Sequence, residues 1–193
     1  MTTITSITSK TLVLSAANID TDQIIPARYL TATSQEGLGQ YLFYDWRFDE
    51  NGKANNHVLN DDASIECKIL VGGTNFGSGS SREHAPWALM DYGFQVIISS
   101  EIADIFRGNA VKNGLLPVVI EKAAHEWLLD NPGEKITVDL AFCEVRLSKN
   151  GGTFPFEIDA FARHCLMQGL DETAYLGKQL DAILEFELTH RTF

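Results

Sequence analysis

Residues 72–89 read GGTNFGSGSSREHAPWAL. Four glycines (Gly72, Gly73, Gly77, Gly79) and four hydroxyl side chains (Thr74, Ser78, Ser80, Ser81) fall in the first ten positions, and Arg82, Glu83 and His84 follow directly. An apolar run precedes the segment and a helical pattern follows it, so the sequence predicts a strand-to-helix turn. At such a turn, unpaired N–H groups and the positive end of the helix dipole face an anion. Three familiar glycine-rich motifs fail on specific residues. A phosphate loop needs Lys and Ser/Thr after its second glycine, where Ser78 and Gly79 stand. A dinucleotide fingerprint needs a third glycine where Arg82 stands. The G-x-S-x-G elbow is absent. What remains is a flexible turn delivering Ser80 and Ser81 beside Arg82, whose planar fork suits a carboxylate. N–H groups near Ser80 could also stabilise an oxyanion. Simple capping of the helix is the other role open to Ser80 and Ser81, and helix-surface or supporting roles are open to Glu83 and His84.

A second polar cluster, DTDQ at 20–23, places Asp20 and Asp22 two residues apart, in range either to cap turns or to orient another group's histidine. Arg28 follows in the same loop. It could reach a substrate carboxylate or simply stand in solvent. The aromatic stretch YLFYDWRF at 41–48 reads as core or interface packing.

Elements must carry these groups. Residues 11–14, 65–71, 94–99 and 115–120 read as strands, with Pro117 marking an edge or a strand end. Helices are predicted over 82–91 and 100–112, the latter stopping at Gly114. That alternation means βαβ units and parallel strands. Residues 18–30 read as an ordered loop. After residue 134 the rhythm changes to short strands at 135–140, 142–147 and 153–158 joined by tight turns, hence antiparallel hairpins. The tail is helical from Asp171, a plausible N-cap. Leu176, Leu180, Ile183 and Leu184 share one face there, for packing on its own domain or for a partner.

The bulk numbers narrow the classes. The 193 residues are 45% hydrophobic and 21% charged, which suits one globular domain with a real core. A formal net charge of −11 without basic runs disfavours nucleic acid. It also means that any anionic ligand must be won by local arginines and N–H groups. Cys67, Cys143 and Cys165 are odd in number, widely spaced and without a C-x-x-C, which argues against a disulfide framework and against an iron–sulfur or zinc site held by this chain. They fit a cytoplasmic protein with reduced thiols. The first residues do not resemble a secretory signal, and no apolar run has membrane-spanning length.

Taken together, NFGSGSSREHAPWAL, NIDTDQIIPARYL and IFRGNAVKNGLLPV resemble the small subunits of 3-isopropylmalate dehydratases, the detached swivel domains of the aconitase superfamily. The aromatic stretch and the C-terminal GLDETAYLGKQLDAILEFE are similar to the longer, bacterial-type form. The resemblance implies an α/β swivel fold in β/β/α layers. The sheet would be mixed with flanking helices, in a single domain over 1–193, with a helical extension from about residue 160 packed on it. It implies a hydro-lyase of leucine biosynthesis, isomerising 2-isopropylmalate and 3-isopropylmalate through isopropylmaleate. The chain would be active only with a large subunit whose three cysteines hold a 4Fe–4S cluster, and it would bind no cofactor itself. Ser80 would take the proton from carbon. Ser81 and Arg82 would grip a substrate carboxylate, and Asp22 would support a histidine of the partner. A specificity loop is expected at 29–32, where Leu30 and Thr31 suit an apolar isopropyl group. Arg28 would be a further substrate ligand. Two other readings stay open: a related hydro-lyase acting on citraconate or a methylated maleate, and a non-catalytic anion-binding or regulatory swivel module.

Overall fold

The computed structural model describes residues 1–31, 34–79, 81–149 and 151–190. Its centre is a seven-stranded mixed sheet in the order β4-β3-β2-β1-β5-β6-β7. Strand β1 (Ser6–Leu14) is longer than the sequence suggests, and it serves two neighbours. Its second half runs parallel to β2 (Ile69–Gly72), from Thr11 opposite Ile69 to Leu14 opposite Gly72. Its first half runs antiparallel to β5 (Lys135–Asp139). One strand therefore joins a parallel half to an antiparallel half. The parallel half continues through β3 (Val96–Ser99) to β4 (Leu116–Val119), so Pro117 does lie on an edge strand, where a missing N–H is harmless. The antiparallel half continues through β6 (Glu144–Leu147) and β7 (Thr153–Pro155) as hairpins.

Helices cover both faces of the parallel half. Along β2, alternate residues point to opposite sides. Leu70 joins a core with Ala85, Ala88 and Leu89 of α3 (His84–Tyr92) and with Phe106 and Ala110 of α4 (Asp104–Asn113). Ile69 and Val71 join the opposite core with Ala124 and Leu128 of α5 (Lys122–Asp130) and Leu166 of α6 (Ala160–Gln168). Burial on both faces explains why β2, β3 and β4 are continuous apolar runs. Pro86 fits inside α3 because it sits in the first turn, where its missing N–H would have had no helical partner. Gly114 ends α4 in the left-handed conformation, as its position suggested.

Several features differ from the sequence reading. The stretch 18–30 is not only loop: it contains a one-turn helix, α1 (Thr21–Ile24). A second single turn, α2 (Tyr44–Arg47), interrupts the aromatic stretch. Helix α5 has no counterpart in the reading above, although Ala124 and Leu128 are spaced i, i+4 on its inner face. The tail is two helices, α7 (Glu172–Lys178), capped by Asp171 as expected, and α8 (Leu180–Thr189). Neither contains a buried residue, and Leu176, Leu180, Ile183 and Leu184 are all at least 36% exposed. Their apolar face is thus uncovered among the described residues. Among the described residues no helix is long and apolar enough to cross a membrane.

Candidate active site

Because β1 and β2 are parallel neighbours, they end at the same edge of the sheet, and the segments that leave them run side by side. Main-chain hydrogen bonds sew the two together. The Asn18 N–H donates to the Thr74 carbonyl at 2.8 Å. The N–H groups of Gly77 and Ser78 both donate to the Ile19 carbonyl, at 2.7 and 3.2 Å, and the Thr21 N–H donates to the Ser78 carbonyl at 2.9 Å. The Asn75 side-chain amide adds a 2.9 Å bond to Asn18 Oδ1. The two polar clusters of the sequence are one site in space.

Within it the two aspartates divide the work. Asp20 caps α1 in a reciprocal box: its carboxylate accepts from the Gln23 N–H at 2.8 Å, and its own N–H donates to Gln23 Oε1 at 2.9 Å. Asp22, in the first turn of the same helix, is left to face outward with its side chain 53% exposed, and it pairs with the Arg82 guanidinium. Arg82 is the more sheltered partner, its side chain 21% exposed. Glu83 occupies the cap position of α3, and among the described residues no side chain caps that helix. Ser81 is exposed on the approach to α3. Ser80, the residue expected to act as base, lies outside the described residues.

The loop's glycines are dictated by contact. A Cβ on Gly73 would stand 2.2 Å from the Ala16 carbonyl oxygen, on the neighbouring segment. At Gly77, φ is +77° and a Cβ would meet the Phe106 ring at 2.3 Å. Gly77→Ala therefore combines left-handed strain with overpacking. It is expected to destabilise the chain by about 2–4 kcal/mol, read as a lowered urea midpoint at unchanged slope.

The remaining expected site residues are placed differently. Arg28 is engaged by Asp45 through both terminal nitrogens. Its guanidinium carbon lies 4.8 Å from the Tyr29 ring centroid and 5.5 Å from that of Tyr44. Tyr29 stacks on Tyr41 at 4.0 Å. In this arrangement Arg28 braces the aromatic cluster, and serving as the expected ligand would require it to exchange Asp45 for a substrate carboxylate. The hydrogen bonds from Arg28 hold the Asp45 carboxyl below the usual carboxylate range. The pair's support is therefore present above that range and fades only as pH falls through the lowered value. The acidic residue inside the aromatic stretch was the available signal for this brace. Arg47, from the same stretch, is buried and donates to Asn60 Oδ1 and the Leu42 carbonyl, at 2.9 and 3.0 Å. The aromatic stretch is thus a packing unit. Leu30 packs partly buried against the adjoining core, and Thr31 is exposed. Ala32, the end of the expected specificity loop, lies outside the described residues.

The cysteines occupy three separate places: Cys67 before β2, Cys143 in the β5–β6 turn and Cys165 in α6. Desolvation pushes the thiols of Cys67 and Cys165 up, away from the thiolate form that ligates metals. Among the described residues no three His, Cys, Asp or Glu side chains come together as metal ligands.

A mixed sheet in which parallel β1 and β2 lead into an aspartate-bearing segment and a glycine-rich, arginine-bearing loop held side by side fits an aconitase-type α/β domain. The family comparisons agree. The aconitase C-terminal domain model matches residues 1–123, and the model LeuD_N matches residues 126–160. A 3-isopropylmalate dehydratase small subunit of Anaeromyxobacter dehalogenans (strain 2CP-C) is 52% identical over 182 residues, covering 94% of this chain and 95% of the relative. The protein of that name from Roseiflexus castenholzii is 48% identical over 192 residues, covering 97% and 94%. A crystal structure of 3-isopropylmalate dehydratase from Methanocaldococcus jannaschii superposes with a TM-score of 0.71 at 26% identity, covering 93% of this chain and 98% of that one. The chain belongs to the 3-isopropylmalate dehydratase small-subunit family, within the aconitase superfamily.

Proposed function

We propose that this chain is the small subunit of a hydro-lyase that interconverts 2-isopropylmalate and 3-isopropylmalate through isopropylmaleate, in leucine biosynthesis, and that it works only against a large subunit. The observation that carries the reading is the meeting of Asp22 and Arg82 where the β1 and β2 segments are sewn together, in a chain about half identical to relatives of that name.

The roles follow from chemistry at that edge. Arg82 and Ser81 hold a substrate carboxylate, the arginine by paired charge-assisted bonds. Ser80 takes the proton from the substrate carbon as hydroxide departs from the neighbouring one, and water returns in the opposite sense. Asp22 supports a histidine of the large subunit. Asp22 cannot serve that histidine fully while it holds Arg82, so joining of the subunits redistributes this pair. Leu30 and Thr31 offer an apolar side to the isopropyl group. The cysteines of this chain do not form a ligand set, and on this reading a 4Fe–4S cluster on the large subunit supplies the Lewis acid for the hydroxyl.

Reconstitution tests the reading. The purified chain alone should be colourless and should not turn over 2-isopropylmalate. Mixed with its iron–sulfur large subunit it should isomerise 2-isopropylmalate with a higher kcat/KM than it hydrates citraconate. Activity of the chain alone would overturn the split site. Preference for citraconate would move the assignment to the related hydro-lyase, and binding of a dicarboxylate without turnover in the complex would move it to a non-catalytic module.

A further inference from the structure

One buried titratable side chain lies outside the site and yet holds its root. His125 is on α5, 1% exposed, and its Nε2 is 2.7 Å from the Gly72 carbonyl oxygen. A carbonyl only accepts, so Nε2 carries the hydrogen in this contact. Gly72 is the last residue of β2 and the first of the glycine-rich segment. The next carbonyl, that of Gly73, accepts from Ser99 Oγ at 2.9 Å, and the Gly73 N–H donates to the Leu14 carbonyl at 2.9 Å. Two consecutive peptide planes are thereby fixed by side chains from different elements. Ser99 closes the end of β3. His125 comes from the face of the sheet opposite α3, the helix into which the loop runs.

Past this root the loop is held mostly by main-chain bonds through its middle, with side-chain contacts from Thr74 to Ser100 at 3.1 Å and from Asn75 to Asn18 at 2.9 Å beside them. The Phe76 N–H donates to the Glu101 carbonyl at 3.0 Å, the Ala103 N–H to the Phe76 carbonyl at 2.9 Å, and the Gly77 N–H to the Ile19 carbonyl at 2.7 Å. Arg82 hangs from the far end. The Gly72 carbonyl is buried, and a buried carbonyl stripped of its donor turns to find another. That plane is then held at its other end by the Gly73 N–H bond to the Leu14 carbonyl, and tilting about this bond redirects everything downstream, since glycine at 72 and 73 adds no side-chain barrier. Resting on the function proposed above, we infer that His125 is a positioning residue for the dehydratase site. Through the Gly72 carbonyl it fixes the direction in which the loop bearing Ser81 and Arg82 leaves the sheet. It does not touch substrate.

Three variants separate this role from simple core stability. In His125→Gln the amide nitrogen falls close to the position of Nε2, in His125→Asn it falls short, and His125→Leu offers no donor. Hydrogen exchange of the full chain by itself is the first measurement. In the Asn and Leu variants the amides of 73–79 should exchange at least ~10-fold faster relative to the β3 amides, and in the Gln variant they should return toward wild type. In the complex with the large subunit, kcat/KM per cluster-loaded enzyme should fall ~10-fold or more in the Asn and Leu variants with partial recovery in Gln. Equal acceleration of loop and β3 amides would overturn the inference, as would Gln and Asn behaving alike. It would also fall if kcat/KM stayed within about twofold of wild type while only the melting temperature dropped. Should Leu fail to fold, the Gln–Asn comparison decides. The exchange arm needs no turnover, so loss of the proposed substrate would not obscure the result.

Discussion

Ser80→Ala in the reconstituted complex is expected to lower kcat for 2-isopropylmalate by at least ~10²-fold, the usual minimum for removing a positioned base. KM should move little, because the carboxylate grip is assigned to Ser81 and Arg82. The substitution removes one oxygen and adds no bulk. The chain should therefore still fold, bind the large subunit and keep its melting temperature. That combination, intact assembly with failed turnover, separates a base from a helix cap. If Ser80 only capped α3, alanine would cost stability of about 1 kcal/mol and spare the chemistry. The structure places the cap position at Glu83. Near-normal turnover in the alanine complex would return the base assignment to zero.

The second large effect is expected at Arg82. Arg82→Ala removes the guanidinium that faces Asp22. Charge-assisted hydrogen bonds contribute about 1.5–3 kcal/mol, so kcat/KM should fall roughly 10- to 150-fold. The loss should appear largely in KM if Arg82 holds the substrate throughout, and in kcat as well if its grip tightens in the transition state. Arg82→Lys should recover only part, since an ammonium cannot form the planar double contact. Folding should hardly notice either change. Asp22 is half exposed and its released carboxylate is rehydrated, so the stability cost should stay within about 1 kcal/mol. A melting temperature lowered as far as in Gly77→Ala would mean that the pair is structural. Unchanged kinetics in Arg82→Ala would remove Arg82 from the site.

Much of this molecule was legible in advance. The continuous apolar runs at β2, β3 and β4 declared buried parallel strands, because nothing else in a chain this size hides both faces of a strand. Gly114 and Asp171 marked helix ends through their own backbone and side-chain preferences. The glycine-rich segment declared a tight turn before a helix, and its missing lysine excluded a phosphate loop. The less legible parts had weaker local signals. Helix α5 is short, and of its nine residues only Ala124, His125 and Leu128 are buried. The second half of β1 looked like the whole strand because the first half, SITSK, alternates buried and exposed residues in a polar sequence that pairs with β5 across more than a hundred positions.

The sequence by itself determined the chemical inventory: an arginine-bearing, glycine-rich turn that suits a carboxylate, a separate pair of aspartates, and three widely spaced thiols. These are properties of residue type and short spacing, and they survive any fold. Pairing was decided only in three dimensions. Parallel alignment of β1 and β2 brought Asp22 to Arg82 across sixty residues. The turn at α2 brought Asp45 to Arg28. The crossing of α5 behind the sheet brought His125 to the Gly72 carbonyl. The physical reason is common to all three. A charged or polar group's role is set by its nearest complementary atom, and here strand register and helix placement supply that atom.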